Sequence, residues 1–446
     1  MRIALIGAGI VGVCTAYELA REGHELTVFE QRGSVAGQAS FANAGLLAPE
    51  LASPWPGPWM SEQHLQRLAL QAPPWRLMAR LDLAAWRWLL AWHRATRSSA
   101  WPAQGLAMHA LARHSLERQR AWCAALKLEH EHRRGCLTLL RNDRDLVRAR
   151  PGLKRLAELG ARFELLDAAQ CRKVEPGLVG ETVPRAGIYL PDAEVGNGRQ
   201  FAHELRLEAQ RLGVTFRFQT AVRSLSPGRT PTLVARHVPA DEPPASSFGV
   251  ASPADGPPTQ PQPLDDRVET FDAIVVCSGI EGDALLRAAG VRLPLRALHG
   301  YSVTAPLRHD EQHPDLGPRA CVIDARHQVV ISRIGQRVRV AGGVEVGGHP
   351  DRHDAVALEA LYRVLHDWFP GAARVNQAQR WKGARPMLPD GLPAVGRSGA
   401  EGIWLNLGHG AHGWGLAAGS AQLIADLVAG RTPAVSAEPF SPLRLR

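Results

Sequence analysis

Arg2-Ile-Ala-Leu-Ile6-Gly7-Ala8-Gly9-Ile10-Val11-Gly12 opens the chain, and together with Glu25-Leu-Thr-Val-Phe29-Glu30 it decides the fold. A continuous apolar run passes into a glycine turn, then into helical apolar spacing from about Ile10 to Glu22, then into a second strand over Glu25–Phe29. The segment therefore reads as a strand–helix–strand unit with parallel strands. Each glycine has a steric task in such a turn. Gly7 makes the tight bend, Gly9 admits a pyrophosphate to the backbone at a helix N-terminus, and Gly12 lets helix and strand pack closely. Ile10 and Val11 belong to the same turn. Glu30 stands 18 residues past Gly12, where a carboxylate accepts hydrogen bonds from an adenosine ribose. A nucleotide-free α/β fold also carries glycine turns, but strand, helix, strand and acid together point to a dinucleotide. An acid rather than an arginine at position 30 disfavours a 2′-phosphorylated one. NAD and FAD both remain open on this motif.

A chain of 446 residues suits two or three domains with a substantial core. With 45% apolar and 21% charged residues it is neither disordered nor a coiled coil. The formal charge of +9 brings nucleic acid and anionic membranes into consideration. The Arg-rich stretches 131–135 and 143–150 are short and mixed with acids, so a solvated basic surface is expected and no nucleic-acid partner. The six cysteines are scattered, without a Cys-x-x-Cys pair or histidines at ligand spacing. They imply neither a metal nor a disulfide framework, and they place the chain in a reducing, cytoplasmic compartment. The apolar run after Met1 is too short for a signal peptide. Residues 81–92, broken by Arg87, fall short of a membrane span.

Further along, strands are expected at Cys136–Leu140 and Gly187–Leu190, and a helix from about Gly198 to Leu212 leads into a strand at Val214–Phe218. Residues 239–263, rich in Pro, Ala, Ser, Asp and Gln, read as a flexible surface excursion. Phe271–Gly279 is a buried strand running into a small-residue turn. Strands follow at Leu298–Thr304, Gln328–Ser332 and Arg337–Ala341, then helices at Ala355–Trp368 and Leu416–Val428.

Three more segments bear on chemistry. Ser40-Phe-Ala-Asn43-Ala44-Gly45 is a small-residue stretch fit to pass close to a flat ring system, or else an ordinary loop. Gly408-His-Gly410-Ala-His412-Gly413-Trp414-Gly feeds a helix N-terminus, whose N–H groups and dipole suit the negative charge of a reduced flavin ring. His409 and His412 read as catalytic bases or metal ligands only against the pattern, since no carboxylate or cysteine sits near them at ligand spacing. In Trp381–Gly396, Arg385 lies in a turn-rich stretch between Gly383 and Pro386, where a guanidinium can clamp a carboxylate through two parallel bonds or simply face solvent.

Taken together, these segments resemble the D-amino-acid oxidase-like family of FAD enzymes, and within it the D-amino acid dehydrogenases. The resemblance rests on GAGIVGVCTAYELAREGHELTVFE, on ANAG ending at Gly45, on GYSVT at Gly300–Thr304, on GARPMLPDGLPAVG at Gly383–Gly396 and on the glycine-rich stretch Leu405–Pro433. It covers nearly the whole chain. It implies an α/β and α+β architecture: a Rossmann-like FAD domain of the glutathione-reductase type, and a substrate domain built on an antiparallel sheet. Residues 1–48, 193–290 and 380–446 are expected in the first, and 49–192 and 291–379 in the second. The resemblance assigns Gly7, Gly9, Ile10, Val11, Gly12, Glu30, Gln31, Ser40, Asn43, Ala44, Gly45, Gly279, Gly408, Gly410, Gly413 and Trp414 to the cofactor. Arg385 matches the family arginine for the substrate carboxylate.

The implied reaction is oxidation of a D-amino acid by hydride transfer from Cα to flavin N5, followed by hydrolysis to a 2-oxo acid and ammonia. Electrons would pass to a quinone or another carrier. Alternatives are a related amine oxidoreductase acting on glycine, sarcosine or D-hydroxyproline, and an oxygen-using oxidase. Two departures stand out. His299 precedes Gly300 where Lys is expected, and the excursion at 239–263 is long. No cysteine lies in Gly383–Gly396, so the FAD is expected to be noncovalent. The Trp- and Arg-rich stretch Trp75–Trp101 suggests either packing in the substrate domain or peripheral contact with an anionic membrane, on the cytoplasmic face of the inner membrane.

Overall fold

The computed structural model describes residues 1–54, 75–77, 82–238, 266–308 and 316–445. The Pro-rich excursion at 239–263 and most of the stretch from Pro54 to Arg80 lie outside the described residues.

The opening unit forms as the sequence predicts, with strands Arg2–Ile6 and Glu25–Phe29 around a helix at Ile10–Arg21. They belong to a six-stranded sheet ordered Ala394–Arg397, Ile403–Leu407, Ala273–Val276, Arg2–Ile6, Glu25–Phe29, Thr215–Arg217. Its pairings are parallel except at the Ala394–Arg397 edge. Ile3, Leu5, Ile274, Val275 and Leu405 are fully buried, which is why these strands read as continuous rather than alternating apolar runs. The helix Ile10–Arg21 packs against the helices Gly198–Arg211 and Gly413–Val428. A Cβ on Gly12 would overlap the Gly7 carbonyl oxygen, so the third glycine of the motif is fixed by helix–strand packing.

A three-stranded antiparallel sheet (Thr220–Ser226, Thr232–His237, Arg267–Thr270) adjoins this layer. The second large sheet has ten strands. Its main path runs Gln379–Met387, Arg296–Pro306, Arg337–Val346, Val329–Ile334, Cys321–Asp324, Arg133–Leu140, Ala186–Val195, Leu46–Leu47. The sheet is mixed rather than purely antiparallel, because Cys321–Asp324 runs parallel to Arg133–Leu140 and Trp75–Leu77 runs parallel to Arg337–Val346. The helix Ala355–Trp368 covers one face through Leu358, Leu361, Val364, Leu365 and Trp368.

Two sequence expectations change here. The turn-rich stretch holding Arg385 is a strand, Gln379–Met387, hydrogen-bonded along its length to Arg296–Pro306. It lies in the larger sheet, although residues 380–446 were expected with the cofactor domain. As an edge strand it has one unpaired side, which is where Gly383 and Pro386 are tolerated. The helices Trp101–Leu126 and Asp143–Glu158 were not anticipated. The first buries Met108, Leu111, Ser115, Gln119 and Trp122, a mixed set with weak apolar periodicity, against the helix Gly413–Val428.

Candidate functional site

A cavity of about 470 Å³ opens between the C-terminal ends of the parallel strands and the ten-stranded sheet. It brings together every residue the sequence assigned to a site except Gly12, whose task is internal packing.

At one end the wall is backbone. Gly7 takes φ +98°, and a Cβ there would stand 2.9 Å from Ser278 Cα. Gly9 differs: its added Cβ would meet nothing nearer than Ser40 Oγ at 3.7 Å, so no protein atom requires glycine at that position. Ser40 Oγ accepts a hydrogen bond from the Ile10 N–H, the first of the helix, at 3.2 Å. Val11 lines the cavity one residue further on. The Glu30 carboxylate accepts from the Ala8 N–H at 2.7 Å and the Arg32 N–H at 2.9 Å. Burial raises its pKa, and the two N–H bonds oppose that rise. Beside it, the Gln31 and Gln38 amides donate to Glu281, three residues past the turn at Ser278-Gly279. Gly279 takes φ +58°, and Ser278 Oγ is buried without a partner among the described residues.

The middle of the cavity is a loop held by the second sheet. Ser332 donates to the Ala44 carbonyl at 2.6 Å and Arg339 Nη1 donates to the Asn43 carbonyl at 3.0 Å, while Asn43 Oδ1 accepts from the Gly45 N–H at 2.9 Å. Opposite, Gly408 and Gly410 carry positive φ, and the helix Gly413–Val428 points its N-terminal turn, with Gly413 and Trp414, at the cavity. His409 is buried and bonded to Ser420 Oγ at 2.9 Å. Burial holds its pKa down at about 3 and that of His412 at about 4, so both rings are neutral near pH 7. Among the described residues no group of side chains has the makings of a metal site.

The other end is cationic. Arg385 lines the cavity from the edge strand, and its Nη1 donates to the Gly343 carbonyl at 2.9 Å. No carboxylate pairs with it among the described residues, and burial lowers its pKa to about 10. A half-buried guanidinium lining a cavity can bind an anion there through charge-assisted bonds. A Cβ on Gly300 would overlap this guanidinium, which explains the glycine of the GYSVT segment. Sequence reasoning missed Tyr301 and Trp381 as cavity walls and the buried Glu345 and Lys382 behind them. The signal for Tyr301 and Lys382 is their cross-strand register, which is not local in sequence.

The residues present fit FAD. The vacant space beside Gly9 meets a helix N-terminus, Glu30 stands at ribose distance in the motif, and the partnerless Ser278 Oγ adds a polar atom to the wall. Of the six free cysteines only Cys277 lines the cavity among the described residues, and burial keeps its thiol protonated, with the pKa pushed up to about 12.

A profile of the FAD dependent oxidoreductase family matches residues 2–427. The chain is 36% identical over 437 residues to a D-amino acid dehydrogenase of Cereibacter sphaeroides, covering 98% of this chain and 93% of that protein. It is 33% identical to a D-amino acid dehydrogenase of Methylobacterium radiotolerans, with 99% of each covered. Among solved structures, iminodiacetate oxidase from Chelativorans sp. BNC1 superposes with a TM-score of 0.68 at 20% identity, covering 99% of both chains. Glycine oxidase from Geobacillus kaustophilus gives 0.67 at 19%, covering 98% of this chain and 97% of that one.

Proposed function

The chain belongs to the FAD dependent oxidoreductase family, and from that premise we propose that it is a D-amino acid dehydrogenase whose substrate carboxylate is bound by Arg385. The observation that carries this reading is the guanidinium presented to the cavity without a carboxylate partner among the described residues. Bound FAD supplies a two-electron acceptor for the Cα hydride. The residues Gly7, Gly9, Ile10 and Val11 would hold its pyrophosphate and Glu30 its ribose. Gln31 and Gly279 would flank the adenosine side, Ser40, Asn43, Ala44 and Gly45 would pass beside the ring, and Gly408, Gly410, Gly413 and Trp414 would cover its far edge. The glutathione-reductase-type description of the first layer, and a division of labour between a cofactor layer and a substrate layer, belong to this proposal.

Arg385 fixes the carboxylate through charge-assisted bonds and contributes by alignment. The helix N-terminus at Gly413 stabilises negative charge developing opposite it. Neutral His409 and His412 leave the cavity's cation at Arg385. The absence of a cysteine from 383–396 and the protonated Cys277 support noncovalent FAD, which acid precipitation would leave in the supernatant.

We also propose a quinone or other carrier as acceptor and a peripheral contact with the inner membrane from the cytoplasm. Among the described residues no helix is long and apolar enough to cross a membrane. The helix Leu83–Thr96 exposes Leu83, Trp86 and Leu90, with Arg87 and Arg94 on the same face. Trp75, Trp88 and Trp92 pack inside, so only part of the Trp-rich stretch is available to a membrane.

The test is turnover of D-alanine, glycine, sarcosine and a D-proline derivative with a quinone analogue and with oxygen. D-alanine should give pyruvate and ammonia and reduce the quinone analogue much faster than oxygen. Hydrogen peroxide formed as fast as substrate is lost would contradict the dehydrogenase assignment, and preference for glycine would contradict the substrate. Sedimentation with anionic liposomes at low salt, reversed by high salt, tests the membrane contact.

A further inference from the structure

Behind the cationic end of the cavity lies a buried ion pair that the reaction does not use. The side chains of Lys382 and Glu345 are 2% and 1% exposed and stand 2.6 Å apart, Nζ to Oε1. The Lys382 ammonium also donates to the His349 and Arg352 carbonyls at 2.8 and 2.7 Å, so its three protons are committed. The other oxygen of Glu345 accepts from the Tyr301 hydroxyl, and the Tyr301 ring lines the cavity. The Tyr301 hydroxyl in turn accepts from the Asp354 N–H at 3.1 Å, and Asp354 is paired with Arg76 at 2.7 Å. A Cβ on Gly348 would overlap Glu345, so the loop after the strand is shaped around this carboxylate.

The placement of the pair is what matters. Lys382 lies three residues before Arg385 on the edge strand, and Glu345 lies two residues after Gly343, whose carbonyl holds the Arg385 guanidinium. His299, cross-strand from Glu345, brings Nδ1 to 4.0 Å of its carboxylate. Burial and the charges of Lys382 and Arg385 lower the pKa of that imidazole, against the opposing charge of Glu345. His353 also faces the pair, and burial lowers its pKa too. Lys382 balances Glu345 and Arg76 balances Asp354, and among the described residues Arg385 remains without a carboxylate partner.

We propose that Lys382 is a positioning residue for substrate recognition: its ammonium cancels Glu345, so that the field of Arg385 reaches the substrate carboxylate undiminished. This rests on the reading of Arg385 as the carboxylate clamp. Without Lys382, Glu345 becomes a buried anion on the same sheet as Arg385, and it competes with substrate for the guanidinium's field. A wall that merely packed would respond alike to loss of either partner. A charge balance responds with opposite signs.

The test measures KM and kcat for D-alanine on holoenzyme in Lys382→Met, Glu345→Gln and the double variant, with Arg385→Met alongside. Lys382→Met should raise KM on the order of tenfold, with kcat changed by about twofold or less. Glu345→Gln should leave KM equal or lower, and the double variant should return toward the starting KM. If both single variants raise KM, or the double variant is worse than either, the proposal is overturned and a packing role remains. If Lys382→Met does not retain FAD, Glu345→Gln and the double variant still decide the sign. An Arg385→Met enzyme with unchanged KM would defeat the carboxylate reading itself, a result the Lys382 variants do not produce.

Discussion

The two ends of the cavity are built by opposite means. At the Gly9 end the protein withholds most side chains, and what remains are N–H groups, a helix terminus and two carboxylates, Glu30 held by two backbone bonds and Glu281 held by the Gln31 and Gln38 amides. At the Arg385 end it supplies a charged side chain, and Gly300 is the clearance that lets that side chain reach the cavity. Glycine serves both ends, once to leave room for a ligand and once to leave room for a residue. The first kind of site is encoded by neighbours in sequence. The second depends on the register between Arg296–Pro306 and Gln379–Met387, which no local reading contains.

The largest effects separate the glycines. Gly12→Ala puts a Cβ onto the Gly7 carbonyl and should destabilise the fold by about 3 kcal/mol or more, read as a lowered urea midpoint. Gly9→Val meets open cavity instead, so it should fold normally and elute colourless from gel filtration. If Gly9→Val keeps its flavin, the Gly9 end is not a pyrophosphate site. At the other end, Arg385→Met should keep its FAD and lose at least about 2 kcal/mol of kcat/KM. Gly300→Ala displaces the guanidinium rather than removing it. It should cost less, roughly tenfold in kcat/KM with flavin content unchanged. A Gly300→Ala enzyme with full activity would show that the guanidinium does not need that clearance.

A further effect, on stability rather than turnover, lies between the ends, at His409. Its folded pKa, about 3, is below the ordinary value near 6.5, so the unfolded chain binds a proton that the folded chain refuses. Stability contributed by the neutral ring is present above pH 6.5 and falls as pH drops toward 3. Between pH 7.5 and pH 5 the loss should be about 2 kcal/mol, read from urea midpoints. His409→Gln should remove its own share, about 2 kcal/mol, and leave the comparable share of His412, whose pKa is also held down, at about 4; an unchanged slope would place the titration elsewhere.

How much was legible follows the same division. Strands Arg2–Ile6 and Glu25–Phe29 and the helix Ala355–Trp368 match their expected bounds, because apolar runs and caps are local. The helix Trp101–Leu126 was hidden because its buried face mixes Ser115 and Gln119 with Met108 and Leu111. The Arg385 segment was read as turns because Gly383 and Pro386 punctuate it, whereas an edge strand absorbs both. The glycine motif pointed to a dinucleotide from local sequence, with NAD and FAD both open. Arg385 acquired its meaning from family resemblance, and Lys382 and Glu345 only from the fold, since their charges meet across strands.

The most direct test of the central claim is anaerobic mixing of the yellow holoenzyme with D-alanine while the flavin absorbance band is followed. Rapid bleaching is expected with D-alanine, none with L-alanine over the same interval, and in Arg385→Met bleaching that requires at least about thirtyfold more D-alanine, the equivalent of about 2 kcal/mol. A flavin that no D-amino acid bleaches, or one that Arg385→Met bleaches at the original concentrations, would contradict that claim.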